Sequence, residues 1–461
     1  MKNKHNKSAA KIGIPALVCG IVLSLLSCAG DPEAYNDIDA AVVYSNDFEK
    51  GLEAIRKGQE GRYPVYPERN AISLFLDRGL LEHYAGHYRE SSIDLQEAER
   101  LIEEAYTRSI SESIASYIAN DNTKTYPGED YEDIYINVFN ALNYYNRGDL
   151  EGAMVEIRKI TISNGKLDLL SRKYENARPD IQDWVLDQLR HIGILYNPEL
   201  PQGQAVNFSN SALARYLSLL FYLGDGKADD ARIEFEQLRA AYSSNPNIYK
   251  TLIPVSAAEA MNVPPGKARL NIISFVGLSP IKEEGTFQNV FPFFQNSYLR
   301  STVFKLPKFT ERKSDITGIE VVVRGSGNFS LELLEDMGAV IRETYNARFS
   351  NLFFKTYIRT MLKYAAADVS ATRAAERRSS SAAMLSAIIA KSAIDASESA
   401  DIRMSRYLPD KAYIGGVNLE PGNYTVTVNY LSGRRIIAGD EHRNVIVRPG
   451  VLNLIESVSL R

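Results

Sequence analysis

Apolar and polar positions follow several different rhythms along this chain. Ile12–Leu26 is a nearly unbroken apolar run behind a basic start containing Lys2, Lys4, Lys7 and Lys11. From about residue 35 to 255, apolar residues recur three and four apart, the period of helices that bury one stripe. From about Lys267 the period shortens. Leu270–Val276, Ser301–Leu306 and Ile319–Arg324 read as short strands between Gly- and Pro-rich loops. Asn423–Tyr430 alternates strictly after the turn Leu419-Glu-Pro-Gly, with Tyr413–Leu419 as the strand before it and Asn444–Arg448 and Leu452–Val458 after it. Alternation between evenly spaced turns predicts an antiparallel sandwich with one face of each sheet buried. Between the strand groups, Leu331–Tyr364 returns to helical spacing through Leu333, Leu334, Met337, Val340, Ile341 and Tyr345 onward, and residues 365–400 are rich in Ala and Ser. Within them Ala382–Ile394 has thirteen residues and one lysine, too short for a span of ~20, and reads as close helix packing. The expected fold class is α+β and multidomain. A helical repeat domain covers 37–260, and a β-sandwich-like domain covers 265–461 with a helical insertion at about 330–405.

The helical half repeats a spacing. Counted from Gly79, the residues Gly86, Tyr88, Ser91, Leu95 and Ala98 lie 7, 9, 12, 16 and 19 positions on. Counted from Ala141, Gly148, Leu150, Ala153, Ile157 and Ile160 fall at the same offsets. Near Leu219 the phase returns with Gly226, Ala231, Phe235 and Leu238, and a half-copy holds Phe48, Gly51, Ile55 and Gly58. Helical hairpins account for this. Small residues (Gly79 against Ser91, Ala141 against Ala153, and Ala98 and Ala231) sit where two helices cross, and glycine closes the turn at positive φ. The spacing resembles the tetratricopeptide repeat, without its usual first-helix Trp, and Gly86 to Gly148 is 62 residues rather than about 34, leaving an insertion around Ser109–Asp133. Stacked hairpins present a face that holds protein segments. Tyr84, Tyr88, Tyr106, Tyr117, Tyr144 and Tyr145 bring rigid contact area with a polar tip to such a face, the competing role being hairpin core.

The apolar run at the start ends in Leu25-Leu26-Ser27-Cys28, which resembles the bacterial lipobox. The resemblance implies a signal peptide over 1–27, lipidation of Cys28 and a tether over 28–36. Ala29, rather than Asp, follows the cysteine, which implies outer-membrane sorting. Removing the four lysines from 53 basic residues leaves 49 against 57 acidic ones, net −8 over 434 residues. Cys19 departs with the signal and Cys28 is acylated, so the mature chain offers no thiol for disulfides, metals or nucleophilic catalysis. The acidic balance gives no footprint for nucleic acid.

Candidate chemistry is sparse. His83 and His87 are four apart, a metal-pair spacing, but His-Tyr-Ala-Gly-His lacks a glutamate between them and reads as a surface pair near a turn. Ser163…Lys166 and Ser279…Lys282 match Ser-x-x-Lys without companion motifs, and Gly325-Ser-Gly327 reads as a turn. Glu129, Asp130, Glu132 and Asp133 follow Pro127-Gly128 and suit the N-terminus of a helix; a calcium loop or a partner-binding loop are the alternatives. No catalytic residue, cofactor or metal is expected.

Several stretches resemble a family of bacterial lipoproteins with a tetratricopeptide-like N-terminal half and a β-rich C-terminal domain. They are Tyr84-Ala-Gly-His-Tyr-Arg-Glu-Ser, Ala119-Asn-Asp-Asn, Tyr126-Pro-Gly-Glu-Asp-Tyr-Glu-Asp, Ala141-Leu-Asn-Tyr-Tyr with Gly148-Asp-Leu-Glu-Gly-Ala, Ala400-Asp-Ile-Arg with Leu408-Pro, and Leu419-Glu-Pro-Gly-Asn-Tyr-Thr-Val-Thr-Val. After Arg403 this chain departs from the aromatic that the family carries. The resemblance implies no particular activity, and a gene neighbourhood shared by some members with lipoproteins that activate cell-wall synthases implies a process only. The functional expectation is an outer-membrane-anchored periplasmic lipoprotein that scaffolds envelope assembly or cell-wall synthesis through a protein partner. The alternative is a glycan-binding protein or carbohydrate-active enzyme using the β domain, with Glu320 or Glu332 as its carboxylates.

Overall fold

The computed structural model describes residues 35–109, 122, 124–163, 165–175, 208, 210–290, 299, 301–377 and 380–461. Cys28, the expected signal peptide over 1–27 and Tyr117 lie outside them. Among the described residues are twelve α-helices and three sheets, so the chain is mixed α+β.

A short helix α1 (Asn36–Asp39) runs into a π-helical segment (Ala40–Tyr44) and pairs with α2 (Phe48–Gln59). Three hairpins follow: α3 (Ala71–Tyr84) with α4 (Tyr88–Ser109), α5 (Asp130–Asn146) with α6 (Leu150–Thr161), and α8 (Ala212–Gly224) with α9 (Ala228–Ser244). Helix α7 (Lys166–Glu175) follows the second hairpin, and α10 (Val255–Glu259) ends the helical half. The second helix of one hairpin packs on the first helix of the next. Every hairpin turn uses the same glycine: Gly86, Gly148 and Gly226 take φ of +83°, +81° and +73°. In each, the glycine N–H donates three residues back and the next N–H donates five back, which satisfies carbonyls that the helix end leaves free.

The first sheet has strand order β10 (Asn453–Ser459), β1 (Ala268–Leu278), β7 (Pro409–Leu419), β6 (Glu332–Asp336). A second holds β2 (Ile281–Val290) and β3 (Ser301–Thr310). The third runs β5 (Gly327–Ser330), β4 (Gly318–Val323), β8 (Gly422–Ser432), β9 (Arg435–Val447). Strand β1 is buried along its whole length. Its Ile273 and Phe275 enter the core built by the hairpins, while Leu270 and Ile272 meet Val321, Val426 and Val428 of the third sheet. The boundary near residue 260 therefore separates the helical hairpins from the sheets but not their cores: one hydrophobic cluster runs from Ile72 through Phe139 and Leu217 to Ile414.

Three expectations need correction. The strand pattern is not wholly antiparallel, because β10 lies parallel to β1, Leu270 opposite Asn453. Alternating residues fix which faces are buried but not which distant strand is the neighbour. The helical insertion begins at Met337, not near 330. Leu331–Leu334 fit a helical stripe equally well, but Glu332–Asp336 pair with β7 as an edge strand, and the Asp336 carboxylate then caps α11 (Met337–Arg377) at the Ala339 N–H, 2.7 Å away. Helix α12 (Ser380–Ser397) returns along α11, and the two share a small separate core with β3 around Phe304, Ile358, Met361 and Ala387. Finally, the expected tether reaches too far, since Tyr35 is packed edge-on against Tyr66 at 5.4 Å. Among the described residues no helix is long and apolar enough to cross a membrane.

Candidate functional site

The small residues of the repeat sit at the helix crossings. Ser91 donates its hydroxyl to the Gly79 carbonyl at 2.7 Å, and a Cβ on Gly79 would meet the Leu95 side chain at 3.0 Å. Ala98, Ala141, Ala153 and Ala231 have no exposed surface. Two further positions repeat that the small-residue spacing did not single out. Fifteen residues after each starting position stands a buried acid: Asp94 pairs with Arg78, Glu156 accepts from Asn137, and Glu234 pairs with Arg215, tying each second helix back to its first. Fourteen residues on stands an exposed β-branched residue: Ile93, Val155 and Ile233, 59%, 49% and 52% exposed. The three-copy alignment held the signal for both, visible once polar positions are compared as well as small ones.

The first helices face the β half. Helix α5 is buried from Tyr131 to Asn143 except at Asp133, and α8 from Ala212 to Phe221. Phe139 packs on Phe275 of β1 at 5.0 Å. Tyr84 and Tyr145, expected to reach a partner, bond this chain instead. The Tyr84 hydroxyl donates to the Tyr407 carbonyl at 3.0 Å. That of Tyr145 donates to the Leu452 carbonyl at 3.1 Å and accepts from the Leu454 N–H at 3.0 Å. Periodicity places a tyrosine on a face but cannot say that a later part of the same chain covers that face. Tyr88 is half-buried, edge-on to His83, and Tyr144 accepts from Gln96 at 3.1 Å beneath the Arg147 guanidinium. His83 is not at the surface. It is buried between Asn143 (2.7 Å) and Glu456 (2.5 Å), two acceptors that call for a proton on each ring nitrogen. Burial works to lower its pKa, but Glu456 and Asn143 outweigh burial and raise it above its ordinary 6.5. His87 turns away to Glu49.

Buried carboxylates join the halves. Glu335 on β6 has no exposed surface and takes bonds from Tyr135 (2.8 Å), Ser211 (2.9 Å), the Leu213 N–H (3.1 Å) and Tyr249 (2.7 Å); burial raises its pKa against those four donors. Residues 400–408, which lead from α12 into β7, form an irregular strap whose backbone is satisfied largely by other parts of the chain. Glu132 accepts from the Ser405 N–H at 2.5 Å. Asp77 accepts from the Ser405 hydroxyl and the Arg406 N–H, both at 2.7 Å. The carbonyls of Ala400, Arg406 and Leu408 take bonds from Asn122, Arg312 and the Ser279 N–H. Burial raises the Asp77 pKa to about 6, against the donors around it. Burial and then the neighbouring Glu129 raise that of Glu132 to about 7. Thus Tyr126–Asp133 and Ala400–Pro409, remote in sequence, meet: the Arg403 guanidinium lies 5.3 Å over the Tyr126 ring and donates to the Lys124 carbonyl.

The acidic stretch is spent on structure. Glu132 reaches back to the Glu129 N–H at 2.8 Å, half of a capping box. Glu129 pairs with Lys282 and Arg348, and Asp133 with Lys166 at 2.6 Å. Lys166 and Lys282 are thereby ion-paired rather than poised beside a serine. Glu320 accepts from Asn328 on the third sheet, while Glu332, on the first, accepts from the Val255 and Ser256 N–H groups. Among the described residues no cluster of three His, Cys, Asp or Glu is arranged for a metal. An open pocket of about 440 Å³ lies where α10 meets β1 and β7, lined by Glu259, Asn262, Arg269 and Asn418 among others. Its Arg269 guanidinium is committed to Ser256, Asn271 and Glu259. Comparison with known proteins finds no matching family, no matching curated protein and no matching solved structure.

Proposed function

We propose that this chain is a lipoprotein anchored through Cys28, in the outer membrane and facing the periplasm, that scaffolds envelope assembly or cell-wall synthesis by protein–protein contact. The hairpins read as tetratricopeptide-like and the two facing sheets as sandwich-like. The observation that carries the scaffold reading is the row Ile93, Val155, Ile233, an exposed aliphatic residue at one place in three stacked hairpins. Scattered exposed aliphatics are ordinary, but repetition at one offset is not. The row lies on the second helices, not on the first-helix face that the β half occupies. Acidic residues outnumber basic ones six to three on α4 and four to two on α9. The partner that fits is an envelope protein segment with apolar residues flanked by basic ones.

Crosslinking in living cells followed by affinity purification of the lipidated chain tests this. Recovery of one stoichiometric envelope protein is expected, and its loss from the Ile93→Ser, Val155→Ser, Ile233→Ser triple variant. Recovery of no stoichiometric partner would sink the scaffold reading, and undiminished recovery by the variant would move the contact elsewhere. Cys28→Ala should release the chain into the soluble fraction; continued membrane association would refute the anchor.

A further inference from the structure

We infer that the N-terminal helix layer rests against lipid headgroups, with Tyr63 beside Arg62 and Tyr44 beside Arg461 as its contacts; the inference rests on the lipid anchor proposed above. The layer comprises α1, the π-helical segment and α2, with the loop that follows. Its first residue is fixed firmly. Tyr35 packs edge-on against Tyr66, lies under the Arg406 guanidinium at 4.3 Å and donates its hydroxyl to the Val65 carbonyl at 3.4 Å. The chain therefore joins the body at a defined point, and six residues, Ala29–Ala34, lie between that point and the lipidated cysteine, seven Cα–Cα steps in all. Fully extended they reach only ~25 Å. An anchored molecule keeps this layer near the leaflet whatever the rest of it does.

The same layer holds the two most exposed aromatic side chains among the described residues. Tyr44 and Tyr63 are each 78% exposed, against 62% for Tyr106 on α4. Tyr63 belongs to the tether end, because Gln59 bridges to Tyr66 through both its amide atoms and Tyr66 packs on Tyr35. Tyr44 stands at the other end of a nine-residue helical run, ~13 Å away. Each has an arginine at hand. The Arg62 guanidinium sits 5.6 Å from the Tyr63 ring and has no ion pair among the described residues, and Arg461 donates to the Tyr44 carbonyl at 3.1 Å. A phenol with an apolar ring and a polar tip, paired with a long cationic side chain, settles at headgroup depth. Acyl chains already hold the protein on the bilayer, so this contact sets orientation rather than retention.

The test uses the lipidated full chain in vesicles of phosphatidylethanolamine and phosphatidylglycerol. The mature chain has no other thiol, so Tyr63→Cys, Tyr44→Cys and Tyr106→Cys each accept one fluorescent label. A lipid carrying a spin label at its headgroup should quench the labels at 63 and 44 roughly twofold more than the label at 106. Adding Arg62→Glu and Tyr63→Ser should bring quenching at 44 down toward that at 106. Equal quenching at all three sites on vesicles that the chain does bind overturns the inference alone. Failure of the lipidated chain to float with the vesicles overturns the anchor as well. If position 63 crosslinks to a protein in cell envelopes and is unquenched in vesicles, the layer docks a protein and the lipid contact is refuted.

Discussion

The first and second helices of the hairpins obey one spacing and meet opposite fates. Helices α3, α5 and α8 are buried between their partners and the first sheet, and they spend their polar groups on it: His83 on Glu456, Tyr135 on Glu335, Tyr145 on the edge of β10. Helices α4, α6 and α9 bury one stripe and keep Ile93, Val155 and Ile233 in solvent. A repeat array whose inner face is filled by its own chain has only its outer face left for a partner. Both edges of the first sheet are met by the hairpins: Tyr145 of α5 bonds the Leu454 N–H of β10, and Tyr242, from the end of α9, donates to the Leu334 carbonyl of β6 at 2.8 Å.

The largest expected effect comes from breaking the inner face. Glu335→Ala strands the donors of Tyr135, Tyr249, Ser211 and Leu213 in the core and should cost about 3–5 kcal/mol, read as a lower urea midpoint. A cost below 1 kcal/mol would mean the junction is wetter than its geometry indicates.

Next is pH. Glu132 and Asp77 have folded pKa values raised from 4.5 to about 7 and from 3.8 to about 6, so the folded chain binds more protons than the unfolded one in that window. Their contribution is fully present below pH 4 and is lost as pH rises through 6 and 7. His83, raised above 6.5, loses its share above that value. Unfolding free energy should fall from pH 5 to 8, with Glu132 alone accounting for on the order of 3 kcal/mol. Denaturation series at pH 5, 6, 7 and 8 check the sign, and Glu132→Leu should flatten the slope.

A smaller effect tests a single tie between the halves. Tyr145→Phe removes two hydrogen bonds to the β10 edge and should cost about 1–2 kcal/mol, with faster amide exchange at Leu454. Smallest in stability is the outer row. Each of Ile93→Ser, Val155→Ser and Ile233→Ser should shift unfolding by no more than about 0.5 kcal/mol, while partner capture drops. A large loss of stability would make these residues packing rather than surface.

Much of this was legible in local pattern. The glycines at 86, 148 and 226 and the small residues at 79, 91, 141 and 153 announce hairpins because a tight turn and a close crossing each demand a residue type. Strand β8 announces itself by alternation, and β1 as a short apolar run between Gly- and Pro-rich loops. Glu335 did not, because it sits where a helical stripe and a strand share the same residues, and its partners come from positions 135, 211, 213 and 249. Glu132 was legible as an acid at a helix N-terminus, but its burial and that of Asp77 were not, since burial is a property of what lies opposite.

The sequence by itself determined the period of the hairpin helices and of β8, the repeat spacing and its turns, and the lipobox-like stretch ending in Cys28, all of which depend on neighbours a few residues away. Tertiary structure decided the rest: that β10 lies parallel beside β1, that the β half fills the first-helix face, and that His83 is buried and Ile233 is not. These outcomes follow from packing one apolar face against another, and an apolar face in a sequence carries no label for the segment that will cover it.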